Sequence, residues 1–61
     1  MKYDIISAWG DDLSEIEEKI KSLVNEKILK GWKPLGGISI SSYEVGYTTW
    51  HTAAQAMIKE R

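Results

Sequence analysis

His51 is the only histidine in the chain and the only side chain whose ordinary pKa lies near neutrality. As a general base it needs a partner and a cleft, and Glu44 supplies a carboxylate only where a hairpin brings the two together. Without that partner, His51 reads as a surface histidine on a strand. Asp11, Asp12 and Glu15 gather oxygen ligands suited to a hard cation, but without EF-hand spacing. Helix capping accounts for Asp12 and Glu15 without a metal. The Gly36-Gly37 pair invites a phosphate-loop reading, yet it lacks the lysine–hydroxyl pair and the following helix that such a loop requires. Ser39, Ser41 and Ser42 have no base at a telling spacing. There is no cysteine, so disulfides and thiolate metal sites are excluded. The expectation is a protein that is not an enzyme, with no catalytic residue, no metal and no cofactor.

Aromatic residues carry a different signal. Tyr43, Tyr47 and Trp50 crowd one short stretch, and a small chain can bury only some of them. Such groups anchor a protein interface or stack on a nucleobase. With the polar groups of His51 and Gln55, they make Tyr43, Tyr47, Trp50, His51 and Gln55 the ligand-binding candidates. Trp32, just past a helix end, reads instead as a lid over the core.

These residues must be positioned by few elements. Residues 2–9 are rich in β-branched and aromatic types and predict a strand. Tyr3, Ile5, Ser7 and Trp9 share one face, and Asp4, Ile6 and Ala8 the other. Gly10 to Asp12 break it. Leu13, Ile16, Ile20, Leu23, Val24 and Ile28 then form one apolar stripe of helical period, over a helix of about 18 residues. Asp12 caps its start, with Glu15 placed for a capping box, and Gly31 closes its end. Glu15–Lys19 and Glu17–Lys21 are four-residue ion-pair spacings.

Pro34 bars a continued helix. Ile38 and Ile40 alternate with Ser39 and Ser41, so residues 35–42 predict a second strand, with a bulge or bend at the paired glycines. Gly46 predicts a turn within 43–49, and the flanking Tyr, Val and Thr also suit a longer hairpin. In residues 50–59, Trp50, Thr52, Ala54, Ala56 and Ile58 share one strand face, and His51, Ala53, Gln55 and Met57 the other. Alanine and methionine favour helix here. A third strand is expected nonetheless, because two strands alone make a poor sheet. The fold class is α+β, a β-α-β-β order with one amphipathic helix on a three-stranded antiparallel sheet. A right-handed crossover leaves a gap that the last strand fills, giving strand order 1-3-2.

Sixty-one residues make one domain, and a core of that size is marginal. With neither disulfide nor metal to help, a partner chain is expected. One helix covers one sheet face, and the face expected to stay open carries Ile6, Ala8, Ala53 and Met57. These are the interface candidates for a homo-oligomer, most simply a dimer. Eight basic and nine acidic residues leave a net charge of -1, which gives no general attraction to nucleic acid. No run of 18 apolar residues predicts a membrane span, and no apolar leader follows Lys2, so a cytoplasmic location is expected.

KYDIISA at 2–8, LSEIEEKI at 13–20, GWKPLGGISIS at 31–41 and QAMIK at 55–59 together resemble the DUF1737 family of small bacterial and phage proteins of unassigned function. The resemblance spans nearly the whole chain, apart from the stretch around Tyr43 to His51. It implies a compact domain, and it implies no reaction, cofactor or site residue. The leading expectation is therefore a non-enzymatic oligomeric interaction module. The alternative is a binder of a small, nucleotide-like ligand, with a pocket at a subunit boundary.

Overall fold

A computed structural model describes residues 1–60. Strand β1 (Lys2–Gly10) leads to helix α1 (Leu13–Leu29), then to strands β2 (Lys33–Val45) and β3 (Thr48–Lys59). Both outer strands run antiparallel to β3, giving the order β1-β3-β2 that the crossover argument predicts. Residues 50–59 are strand despite their helical propensity, because β3 is the central strand and satisfies backbone groups of both neighbours.

Local chemistry sets the ends of α1. The Asp12 carboxylate accepts from Ser14 N at 3.0 Å and Glu15 N at 3.4 Å. At the far end Gly31 takes φ 91°, its N–H donates to Ile28 O, and Trp32 N–H donates to Lys27 O, both at 3.0 Å. This is the Schellman pattern of a glycine-closed helix. Lys21 pairs with Glu18 at 3.2 Å rather than with Glu17, and both are exposed, so the pair adds little.

The glycine pair does hold a bulge. Leu35 sits opposite Ala56 and Ser39 opposite Ala54, so β2 spends extra residues against the one position of Gln55. Gln55 is buried, and its Nε2 donates to the carbonyls of Leu35 and Gly36 at 3.2 Å and of Ala56 at 2.9 Å. The side-chain amide thus serves the carbonyls that the irregularity would otherwise orphan. Beyond the bulge the strands pair regularly as far as Val45 opposite Thr48, so the hairpin is longer than residues 35–42 alone predict. Gly46 opens its two-residue turn at φ 63°, the place where a II′ turn demands glycine.

The helix covers the face opposite to the one expected. Ala8, Ala53, Ile16 and Ile20 form the buried core, with Ile6 and Val24 packed against it, and Met57 is fully buried in β3. The four interface candidates Ile6, Ala8, Ala53 and Met57 therefore lie on the helix-covered face and are not an open surface. The physical reason is size. Ala8 faces Ala53 across the strands, and these two short side chains let Ile16 and Ile20 approach the sheet. The bulky Tyr3, Ile5 and Trp9 would hold a helix off, and they take the other side.

The cap can be tested directly. Asp12→Ala should lower unfolding free energy by about 1 kcal/mol, while Asp11→Ala should stay within about 0.5 kcal/mol of wild type. Urea denaturation followed by circular dichroism measures both, and equal losses would remove the assigned role of Asp12.

Candidate functional site

The register defines two faces with different chemistry. On the helix side stand Asp4, Ile6 and Ala8 of β1, His51, Ala53, Gln55 and Met57 of β3, and Ile40, Ser42 and Glu44 of β2. On the open side stand Tyr3, Ile5, Ser7 and Trp9, then Trp50, Thr52, Ala54, Ala56 and Ile58, then Leu35, Ser39, Ser41, Tyr43 and Val45. Lys33, opposite Ile58 at one end, is the only charged residue of the three strands on that side. Tyr3 is 61% exposed, Ile5 59% and Trp9 68%. A solvated face of an antiparallel sheet ordinarily carries polar and charged groups, whereas this one is aromatic and aliphatic, with Ser7, Ser39, Ser41 and Thr52 between and Lys33 its one charge.

The five ligand candidates do not converge. Tyr43 and Trp50 are direct cross-strand partners on the open face. Trp9, which the sequence reading left out of the candidate set, joins them: its ring centroid lies 6.0 Å from that of Trp50, at an interplanar angle of 52°. Tyr47 sits in the hairpin turn, fully exposed. His51 and Gln55 point to the helix side, and Gln55 is committed to the bulge carbonyls. Alternation alone places Trp50 and His51 on opposite faces, and that parity was the available signal.

Ser42 and His51, nine residues apart, meet across the strands with Oγ 2.6 Å from Nδ1. The serine hydroxyl donates to a neutral Nδ1 or accepts from Nδ1–H, according to the tautomer. No spacing in the sequence marks this contact, because the hairpin register creates it. Glu44 stands one rung nearer the turn on the same face, while the contact made by the imidazole is to the hydroxyl. The pair is exposed, so water competes for both groups. Among the described residues no group of three or more His, Cys, Asp or Glu side chains is placed to hold a metal ion.

Beside α1, on the helix side, lies an open groove of about 430 Å³. Ile20, Val24, Ile38, Ile40 and Ala53 form its apolar lining, and Glu17, Glu18, Lys21 and Asn25 its polar part. It exists because the helix sits mainly over β1 and β3, leaving Ile38 47% and Ile40 50% exposed on β2.

At the helix C-terminal end, Lys27 Nζ lies 2.8 Å from Asp4 Oδ2 and 4.6 Å from the centroid of the Trp32 ring. Trp32 thus closes the helix end through a cation–π contact. The hydrogen bond from Lys27, then that from the Ile5 N–H at 2.9 Å, then the lysine's charge hold the Asp4 carboxyl below its ordinary 3.8. A carboxyl with a depressed folded-state pKa adds stability above its unfolded pKa and loses it as pH falls through the folded value. Wild-type stability should therefore drop below about pH 4, and Asp4→Asn should flatten that drop. Urea midpoints between pH 2 and 5 measure it, and superimposable acid limbs would refute the coupling.

Among the described residues no helix is long and apolar enough to cross a membrane. Compared with known proteins, the chain matches no family model, no curated protein and no solved structure.

Proposed function

We propose that this chain is a non-enzymatic interaction module that assembles with a second copy of itself through its open sheet face. The carrying observation is the charge-poor apolar face running from Tyr3 and Ile5 to Tyr43 and Val45, exposed and without a covering element. Three strands about 4.8 Å apart and nine residues long present roughly 400 Å² in flat projection. Monomeric proteins rarely leave a contiguous apolar patch much larger than a few hundred Å² open.

Self-association is favoured over a foreign partner by the face's own chemistry. It is depleted of charge and enriched in Tyr and Trp, as interface cores are. A two-fold arrangement opposes no like charges, since Lys33 stands alone at one end. Two such sheets stack about 10 Å apart and bury both wet faces at once. The resemblance to the DUF1737 family agrees with this reading as far as it goes, since it implies a compact domain and assigns no reaction. Wild-type protein should sediment at micromolar concentration well above the 6.9 kDa monomer. Ile5→Lys, which puts a charge on this face, should lower that mass while leaving the circular dichroism unchanged. A wild-type monomer under these conditions would sink the proposal.

The second reading is a planar, nucleotide-like ligand held at the subunit boundary. The specific observation behind it is the contiguous group of Tyr43, Trp50 and Trp9. Nucleotides at saturating concentration should then raise the melting temperature of wild type and not of Trp50→Ala, because binding to the folded state raises apparent stability. No shift with any nucleotide would dismiss this reading.

A further inference from the structure

We infer that the free edge of β2 is a second self-association site, pairing antiparallel with the same edge of another copy to join two sheets into one. This surface is distinct from the open face, and the inference does not depend on the face contact. The two edges of the sheet differ. Strand β1 is guarded: the Asp4 carboxylate accepts from the Ile5 N–H at 2.9 Å and draws Lys27 against it at 2.8 Å. A charged side chain on an edge strand blocks strand addition. Strand β2 is guarded only at its start, by Lys33, Pro34 and the glycine bulge. From Ser39 to Val45 it runs regularly, contains no lysine and no proline, and is exposed at every residue.

The hairpin also outruns the sheet. The last rung of β1 pairs Gly10 with His51, whereas β2 and β3 continue through Tyr43–Trp50, Glu44–Thr49 and Val45–Thr48. That end is a two-stranded ribbon, an arrangement of marginal stability in water. Pairing along β2 sets this ribbon beside the three-stranded part of a second copy.

A second copy fits this edge better than an unrelated strand because the edge is complementary to itself. With the two-fold axis at Ile40, that residue meets its own copy, and its exposed half is covered. Ser39 then lies opposite Ser41, clear of the glycine bulge and without charge at either position. Glu44 is the only charge between Ser39 and Val45, and its two copies fall on opposite sides of the axis. No like charges are opposed.

The experiment combines sedimentation with residue-resolved amide exchange on the full chain. Together with the face contact, wild type is expected to be a tetramer of about 28 kDa, four times the 6.9 kDa chain. Ile40→Lys places an inward charge on the edge and should halve the mass, with Ile5→Lys halving it by the other route. A wild-type dimer lost in Ile40→Lys and retained in Ile5→Lys supports the edge alone and overturns the face. A wild-type dimer retained in Ile40→Lys overturns the edge inference. If Ile40→Lys fails to fold, exchange in wild type decides. The alternate amides of Ser39–Val45 that point away from β3 are protected only when the edge is paired. Exchange there at the rate of free backbone in the pure protein overturns self-pairing and leaves the edge to a foreign strand.

Discussion

The packing of α1 on the strand pair beneath it is possible because Ala8 and Ala53 are small. They lie opposite each other in β1 and β3, and Ile16 and Ile20 descend onto them. Each substituent beyond a methyl group at these positions would lift the helix and open a gap, at the cost that poor packing carries in a dense interior. The same requirement disposes of the large side chains. Tyr3, Ile5 and Trp9 share β1 with Ala8 but alternate away from it, so seating the helix over Ala8 and Ala53 commits their face, with Ala54 and Ala56, to the outside. A 61-residue chain with one helix has no second layer to put there.

That choice also explains where the charges went. Lys2, Asp4, Glu44 and Lys59 all stand on the helix side of the sheet, where α1 offers polar partners or solvent lies close. Asp4 shows the principle best. Its carboxylate takes the Lys27 ammonium, which also lies over Trp32, so one lysine links β1, the end of α1 and the residue that precedes β2. These two contacts fix the helix end that the glycine closure at Gly31 has just turned.

Much of this architecture was legible in the sequence. The alternation of Ile38 to Ser41, the helical stripe from Leu13 to Ile28, the Asp12 cap and the glycine bulge all act through neighbours in sequence, and local physics decides them. Strand order followed from the handedness of one crossover. The helix-covered face did not follow, because β1 is apolar on both sides. Solvent preference would expose Tyr3, Ile5 and Trp9 no more readily than Ile6 and Ala8. Only the distance of approach distinguishes the faces, and size rather than hydropathy carries that information. The ligand candidates failed differently. Parity already separated Trp50 from His51 and Gln55, whereas grouping them by chemical type joined residues that the sheet holds apart. Ser42 and His51, with no mark in sequence, were joined by the hairpin register.

The two exposed features of the sheet place different demands on any assembly. Its face offers side chains and its β2 edge offers backbone groups, so partners on the two surfaces lie along perpendicular directions and do not compete. The helix stays outermost in both arrangements, which matches its polar outer residues Glu18, Lys21 and Glu26. The groove over Ile38 and Ile40 arises from the same geometry: one helix is too narrow for three strands, and the strand it leaves least covered is the one with the unguarded edge. A sheet extended through that edge buries backbone and the flanks of these isoleucines without asking the helix to move. If the proposed contacts form, they would add stability to a core this small, through aromatic and backbone groups that already lie exposed.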